Sequence, residues 1–99
     1  MKHQDSFAQA LKLVRKAKGL SQEEFAIVSS RTHVSALERG IKSPTLKKVS
    51  DLAEVIGVHP LTILVLAYTK SPTPARIHSL LRDIEREIVE NLSTNRSAP

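Results

Sequence analysis

Hydroxyl and guanidinium side chains recur in the middle of the chain at a spacing that would place them on one side of a helix. At about 100° per residue, Thr32, Ser35 and Arg39 fall together on this side. Ala36 lies beside them, and Arg31 occupies the exposed first turn. A hydroxyl both donates and accepts hydrogen bonds, and a guanidinium donates several in one plane. This stretch could therefore bind anions or the polar edges of other molecules.

A short helix would position these side chains, with Val34 and Leu37 on its opposite side, facing a core. Either Ser29 or Ser30 could cap its start, and the choice shifts the exposed set by one residue. Gly40 offers the left-handed residue that ends such a helix. Considered alone, the helix favours the solvated surface of an ordinary small bundle over a binding surface.

A second helix start lies immediately before this one. Ser21 followed by Glu24 has the pattern of a capping box, while Leu20 and Phe25 are placed for a hydrophobic staple. No apolar period continues past about Val28, where this helix would end. The sequence therefore predicts two short helices joined by a tight turn.

The rest of the chain also follows helical spacing, and no segment shows the alternation typical of strands, so we predict an all-α fold. One further helix is predicted to begin at Asp5 or Ser6 and to end at Gly19. Another runs from Leu46 to Ile56, after the turn Ser43 to Thr45, and ends at Gly57. The last two run from Leu61 to about Tyr68, after Pro60, and over residues 75–92. The predicted organisation is a domain over residues 1–68, a linker over 69–74, an amphipathic helix over 75–92 and a disordered tail over 93–99.

Positive charge is concentrated in the first part of the chain. The 99 residues carry a net charge of +5; residues 1–70 hold eleven Lys and Arg against six Asp and Glu, whereas residues 71–99 hold four of each. A basic domain of this size favours a polyanionic partner, with nucleic acid ahead of an anionic membrane surface. The lack of cysteine and of a signal or membrane-spanning stretch predicts a soluble, cytoplasmic protein without disulfides.

Side chains typical of catalysis or metal binding lack the spacing that such sites need. The four histidines, His3, His33, His59 and His78, show no metal-ligand pattern, and no phosphate-binding glycine loop or dinucleotide motif is present. The adjacent serines of the tight turn lack a strand-Ser-helix elbow, so helix capping explains them better than nucleophilic catalysis. We therefore expect no enzyme, no metal and no cofactor.

Two short helices joined by a tight turn are typical of a helix-turn-helix, in which the first supports the second while its outer side enters the major groove of DNA. In that setting Arg31 could bind guanine through two hydrogen bonds, and Ala36 could touch a thymine methyl group. Thr32 and Ser35 could bond to a base or a phosphate. The residues expected to contact the DNA backbone are His33, Arg39, Lys42, Lys47 and Lys48.

Three stretches in the same order, LSQEEFA, VSALERG and SPTL, resemble the Xre-type, or phage-repressor-like, helix-turn-helix family. The resemblance covers about Phe7 to Tyr68. It implies a lambda-repressor-like DNA-binding domain of five helices, in a family of bacterial and phage transcription regulators. It also implies that Gln22 bonds a DNA phosphate.

The resemblance implies roles for further residues. Those that match recognition-helix positions are Arg31, Thr32 and Ser35. Arg15 and Glu38 match a partly buried ion pair, and both lie next to the apolar faces of their predicted helices. The chain departs from the family in its turn, which is about two residues shorter than the commonest spacing and has no glycine.

The last two predicted helices have more apolar surface than one small domain needs to bury. The helix after Pro60 is apolar nearly all round, and the helix over 75–92 has an apolar stripe. They could pack on each other within one chain, or they could join two chains and place two recognition helices about 34 Å apart. We favour a homodimer whose interface contains Leu61, Leu64, Val65, Tyr68, Ile77, Leu81, Ile84 and Ile88.

The predicted function is that of a dimeric, sequence-specific regulator that binds double-stranded DNA, most simply a repressor. Two alternatives stay open. The chain could be the antitoxin of a toxin-antitoxin pair, with its C-terminal segment around a toxin. It could also be an interaction adaptor that has kept the fold and lost DNA binding.

Overall fold

The computed structural model describes the backbone of residues 3–97 and the side chains of residues 6–94. Over that range the chain forms α-helices and one 3-10 helix without any strand, which confirms the all-α prediction. In chain order the elements are α1 (His3–Ala17), the 3-10 helix (Gln22–Phe25), α2 (Arg31–Glu38), α3 (Leu46–Ile56), α4 (Pro60–Tyr68) and α5 (Pro74–Ser97).

The core is formed by side chains of α1, the 3-10 helix, α2, α3 and α4. Helices α1 and α4 form the most extensive contact among the described residues, while α2 packs on α1 and α3 packs on α4. The largest fully buried side chains are Phe25, Leu11, Leu37, Leu52, Ile63 and Val34. Burial of each such side chain stabilises the fold by roughly 1.5–3 kcal/mol. Because α2 contributes two of them, the core itself holds α2 against the body.

Helix α2 ends in a Schellman motif at the glycine that the sequence indicates. Gly40 has a φ of +73°, in the left-handed region that residues with a side chain rarely adopt. The Ile41 N–H donates to the Ala36 carbonyl at 3.0 Å, and the Gly40 N–H donates to the Leu37 carbonyl at 3.2 Å. The chain therefore reverses directly after α2.

The other predicted helix boundaries agree with the structure to different degrees. Thr45 caps α3 through its hydroxyl, and Gly57 ends α3 in the left-handed conformation. Helix α1, however, already includes His3, so neither Asp5 nor Ser6 begins it as predicted. The described segment before Ser6 contains no proline or glycine that would stop the helix from extending toward the N-terminus.

Helix α5 extends away from the body and has α4 as its main neighbour. It runs to Ser97, so residues 93–97 are helical and not part of a disordered tail as expected. The helix can continue this far because no glycine or proline interrupts the chain between Ala75 and Ser97. The segment before α5 is fastened to its first turn, since Arg76 Nη1 donates to the Lys70 carbonyl at 3.1 Å and to the Ser71 carbonyl at 3.0 Å. The two remaining tail residues, 98 and 99, lie outside the described part of the chain.

Within residues 3–97, no single helix is long and apolar enough to cross a membrane. Helices α3 and α4 together have the length and apolar composition of a span, but they are bent by 112° at the break between them. Ile63 of α4 is fully buried in the core, so the apolar character of α4 serves internal packing on that side.

Candidate nucleic-acid interface

The segment before α2 forms a 3-10 helix, which is shorter and tighter than the helix predicted to continue to about Val28. The Ser21 hydroxyl makes no capping bond, so the predicted capping box with Glu24 does not form. The Glu24 N–H donates instead to the Ser21 carbonyl at 3.2 Å, which is the i to i+3 bond of a 3-10 turn. Phe25 is nevertheless fully buried and anchors this short helix in the core.

Ser30 caps the start of α2. Its hydroxyl accepts a hydrogen bond from the His33 N–H at 3.1 Å. This bond decides between Ser29 and Ser30 as the cap and makes Arg31 the first residue of α2. Arg31 and Thr32 are both exposed, so the first turn of α2 is open to solvent.

The side chains predicted to contact DNA differ in their exposure. The exposed ones are Arg31, Thr32, Arg39 and Lys42, and the half-buried ones are Gln22, His33 and Ser35. Ala36 is only 8% exposed, so its contact with a thymine methyl group stays a prediction with little accessible side-chain surface to support it. The side chains that a partner could reach therefore carry hydroxyl groups, positive charges, an imidazole ring or an amide.

Ala36 is buried at the place where the chain folds back after α2. Its carbonyl accepts hydrogen bonds from the N–H groups of Ile41 at 3.0 Å and Lys42 at 3.4 Å. A helical wheel describes one isolated helix, so it does not account for backbone that returns over the last turn. With Ala36 buried, the exposed side of α2 is narrower than the helical wheel predicts: Arg31 and Thr32 are exposed at its start, and Arg39 is exposed at its end.

Arg15 of α1 and Glu38 of α2 form a bidentate ion pair. Arg15 Nε donates to Glu38 Oε2 at 2.6 Å and Nη2 donates to Oε1 at 2.8 Å, with side chains only 10% and 3% exposed. Arg15 Nη1 also donates to the Leu20 carbonyl at 2.8 Å. The hydrogen bond to Glu38 raises the pKa of Arg15, burial acts in the opposite direction, and the charge of Glu38 raises it further. Arg15 therefore stays charged and fixes α2 relative to α1.

Gln22 extends this ion pair into the 3-10 helix, because its Nε2 donates to Glu38 Oε1 at 3.1 Å. One carboxylate thus joins α1, the 3-10 helix and α2. The amide nitrogen of glutamine carries two hydrogens, so the bond to Glu38 leaves one for another acceptor. The phosphate contact that the resemblance implies for Gln22 stays a prediction, and it is compatible with this geometry.

Arg31 pairs with an acidic residue that sequence reasoning missed. Arg31 Nη1 lies 3.2 Å from Glu23 Oε1, and the two side chains are 67% and 70% exposed. Glu23 belongs to the 3-10 helix and Arg31 begins α2, so the pair spans the turn between them. The unusually short turn was the one sequence feature that could have indicated this approach.

Two basic residues expected to contact phosphates have partners within the protein. Lys48 is half-buried, and its Nζ donates to the Val28 carbonyl at 2.6 Å in the turn before α2. Lys47 Nζ lies 3.0 Å from Asp51 Oδ2 on the same helix. We therefore no longer expect Lys48 to contact DNA, and Lys42 remains an exposed cation just after α2.

The polar groups around α2 are suited to hydrogen bonding and charge pairing. Among the side chains of residues 6–94, no three or more His, Cys, Asp or Glu are placed to hold a metal ion. His59 has a structural contact, since its Nδ1 accepts from the Leu61 N–H at 3.0 Å and caps α4. Helix α2 is thus held against α1 by an ion pair and carries exposed hydrogen-bond donors, Arg31 and Thr32, in its first turn.

A model of the helix-turn-helix family HTH_3 matches residues 11–63, more than half of the chain. The chain belongs to the HTH_3 family of helix-turn-helix proteins. This membership confirms the resemblance to Xre-type regulators and the lambda-repressor-like fold. It also makes the chain a DNA-binding helix-turn-helix protein of a regulatory class. No curated protein and no solved structure matches the chain.

The HTH_3 match begins in α1 and ends in α4, so it contains the ion pair of Arg15 and Glu38, the 3-10 helix and the whole of α2. Helix α5 lies outside it. The family match therefore accounts for the DNA-binding part of this HTH_3 protein, whereas the role of α5 must be argued from its own residues.

The residues predicted for a dimer interface are divided among three places in this HTH_3 protein. Leu61, Val65, Ile77 and Leu81 line an open groove of about 470 Å³ between α4 and α5. Leu64 and Tyr68 line a separate depression together with Pro44 and Leu46. Ile84 and Ile88 lie farther along α5, where Ile88 is 53% exposed. Leu64 and Tyr68 therefore lie apart from the groove between α4 and α5.

Proposed function

We propose that this HTH_3 protein is a dimeric, sequence-specific repressor that reads the major groove of double-stranded DNA with α2. The observation that supports this most is that α2 is braced by the buried pair of Arg15 and Glu38 while Arg31 and Thr32 stay exposed at its start. A side chain discriminates between bases only if a rigid element holds it in position. Bound across a promoter in the bacterial cytoplasm, the protein would block transcription by occlusion and needs no catalytic group.

The accessible side chains divide into base readers and backbone contacts. We propose that Arg31 binds O6 and N7 of guanine. Thr32 and Ser35 then bond to a base edge or to a neighbouring phosphate. The proposed phosphate contacts are Gln22, His33, Arg39 and Lys42. This division predicts that loss of Arg31 weakens one preferred sequence, whereas loss of Lys42 weakens binding to all sequences.

The proposed dimer is supported by the exposed apolar surface of α5. Leu81, Ile88, Val89 and Leu92 are all about half exposed, and the groove beside α4 leaves further apolar surface open. A second copy of α5 would cover this surface and thereby stabilise both chains. Residues 1–68 would then form the DNA-binding domain and α5 the dimerisation segment.

The charges along α5 favour an antiparallel arrangement of the two copies. Its first part, residues 74–83, carries Arg76 and Arg82 against Asp83, whereas residues 84–97 carry Glu85, Glu87 and Glu90 against Arg86 and Arg96. Antiparallel pairing would bring the basic part of each helix next to the acidic part of its partner. Two recognition helices related by such a two-fold axis would read a palindromic site.

DNA recognition is tested by selecting bound duplexes from a randomised pool and measuring the affinity of the enriched sequence against an unrelated one. We expect one enriched, symmetric sequence and a preference of at least about a thousandfold for it. Equal affinity for all duplexes would overturn the proposal of sequence-specific recognition. Affinities should be compared at one stated salt concentration, because phosphate contacts make them salt-dependent.

The dimer is tested by light scattering on the unaltered chain and on Ile88→Glu. We expect a dimer for the former and a monomer for the latter, with an unchanged helical signal, because Ile88 lies outside the core. Ser93→Glu, a change on an exposed position of the same helix, serves as the matched control and should stay dimeric. A monomeric unaltered chain would contradict the proposed interface.

The exposed apolar surface of α5 also supports a second candidate, an antitoxin whose α5 binds a toxin. In that case the unaltered chain would be monomeric in isolation, and a small toxin encoded by the adjacent gene would form a stable complex with it. Ile88→Glu would then abolish that complex and leave DNA binding intact. The adaptor alternative is tested by the same duplex selection, since an adaptor would enrich no sequence.

A further inference from the structure

We propose that Glu23 is a specificity-determining residue that orients Arg31 for guanine recognition. The inference rests on the proposed DNA-binding function and concerns a residue to which that function assigns no role. Its observation is the contact of 3.2 Å between Glu23 Oε1 and Arg31 Nη1.

The contact leaves the recognition edge of Arg31 open. Glu23 contacts one terminal nitrogen, Nη1, and Arg31 makes no other side-chain hydrogen bond or ion pair within the described residues. A guanidinium has five N–H donors in one plane, so the edge formed by Nε and Nη2 remains available for the O6 and N7 acceptors of guanine. Glu23 can therefore hold Arg31 while Arg31 binds a base.

Glu23 is itself held in place by its neighbours. Gln22 is bonded to the buried Glu38 carboxylate at 3.1 Å, and Phe25 is fully buried in the core. The Glu23 backbone is thus fixed between two anchored residues, and its carbonyl accepts from the Ala26 N–H at 3.1 Å. A carboxylate on such a rigid turn limits the range of positions open to the Arg31 side chain.

Two opposite effects on DNA binding follow from this arrangement. An arginine that is already ordered loses less side-chain freedom when it binds, so Glu23 should increase the preference for guanine at the position that Arg31 reads. The negative charge of Glu23 also repels phosphates, so it should decrease affinity for every duplex. Removing the charge should therefore raise general affinity and lower specificity.

The experiment compares Glu23→Gln with Glu24→Gln. Both residues are exposed, and each change removes one negative charge, but Glu24 makes no side-chain hydrogen bond or ion pair within the described residues. The probes are the duplex selected by the unaltered protein and versions of it in which each guanine is replaced in turn. Affinities are measured by fluorescence anisotropy at about 0.15 M salt, and circular dichroism checks that each variant is folded.

Both variants should bind an unrelated duplex more tightly than the unaltered protein. Only Glu23→Gln should also lower the preference for guanine at one position, by up to about fivefold, the most that an exposed pair usually contributes. Arg31→Ala should abolish the preference at that same position, and adding Glu23→Gln to Arg31→Ala should cause no further loss. This dependence on Arg31 separates orientation from a general change of charge.

The outcomes distinguish the inference from the proposed function. If the unaltered protein selects a duplex and Glu23→Gln discriminates as well as Glu24→Gln does, the role of Glu23 is overturned and the proposed function stands. If Arg31→Ala leaves every guanine preference unchanged, the role of Glu23 is likewise overturned. If the unaltered protein enriches no duplex at all, the proposed function fails, and this inference fails as well.

Discussion

Replacing Glu38 with alanine should destabilise the whole domain, because the Glu38 carboxylate accepts three hydrogen bonds from inside the fold. Glu38 accepts from Arg15 at 2.6 and 2.8 Å and from Gln22 at 3.1 Å, and its side chain is only 3% exposed. Removing one partner of a buried ion pair costs about 3–5 kcal/mol, since the remaining charge is left without its counter-charge. The stranded group would be the Arg15 guanidinium, because an arginine side chain keeps its proton in a protein even without a carboxylate partner.

The local surroundings of Arg15 place the expected loss at the lower end of that range. Arg15 would keep its hydrogen bond to the Leu20 carbonyl at 2.8 Å, and its side chain is 10% exposed, so water has some access to it. We therefore expect a loss of about 3 kcal/mol in the free energy of unfolding. For a domain of this size, 1 kcal/mol lowers Tm by roughly 4–8 °C, so Tm should fall by about 12–24 °C.

Thermal and urea unfolding followed by circular dichroism measure this loss. Glu24→Ala is the matched control, because it truncates an exposed glutamate and should change stability by less than about 0.5 kcal/mol. Combining Arg15→Met with Glu38→Leu should recover part of the stability, since an apolar pair leaves no charge stranded. A Tm for Glu38→Ala within about 4 °C of the unaltered chain would refute the reasoning.

Three further perturbations test other contacts. Lys48→Met should lower stability by about 1.5–3 kcal/mol in urea unfolding, because it removes a charged donor from the Val28 carbonyl, whereas Lys47→Met should have little effect. Lys42→Ala should reduce the slope of log affinity against log salt by about 1 in titrations with DNA and leave sequence preference unchanged, because Lys42 is an exposed cation that we propose contacts a phosphate and not a base. Ala36→Leu should cost about 1–3 kcal/mol by overpacking a buried position; an unchanged Tm with an altered base preference would show instead that Ala36 faces DNA.

The parts of the fold that could be predicted from sequence are those set by local backbone chemistry. Gly40 and Gly57 end helices because they adopt the left-handed conformation, and Thr45 begins a helix through its own hydroxyl. Each of these signals acts within a few residues, so it can be read without knowledge of the tertiary structure. The choice between Ser29 and Ser30 was of the same kind, but two adjacent candidates made it ambiguous.

The parts that could not be predicted depend on contacts between distant residues. Lys48 reaches the carbonyl of Val28, twenty positions earlier, and no helical pattern contains that information. Ala36 is buried although the helical wheel places it on the outer side, and its carbonyl accepts hydrogen bonds from Ile41 and Lys42 beyond the helix. The family resemblance predicts the pair of Arg15 and Glu38, because it supplies a long-range contact that periodicity alone leaves open.

The short turn before α2 accounts for the hydrogen bond between Lys48 and the Val28 carbonyl. With about two residues fewer than the commonest family spacing and no glycine, the segment tightens into i to i+3 bonds, and the Phe25 carbonyl accepts from both Val28 and Ser29 at 2.9 Å. The Val28 carbonyl, left outside any helix, then accepts from Lys48 Nζ at 2.6 Å. A partly buried carbonyl without a partner would be costly, so a lysine on α3 supplies the donor that the shortened backbone does not. The segment before α2 thus departs from the commonest family spacing, and it is also the segment across which Glu23 contacts Arg31 at 3.2 Å.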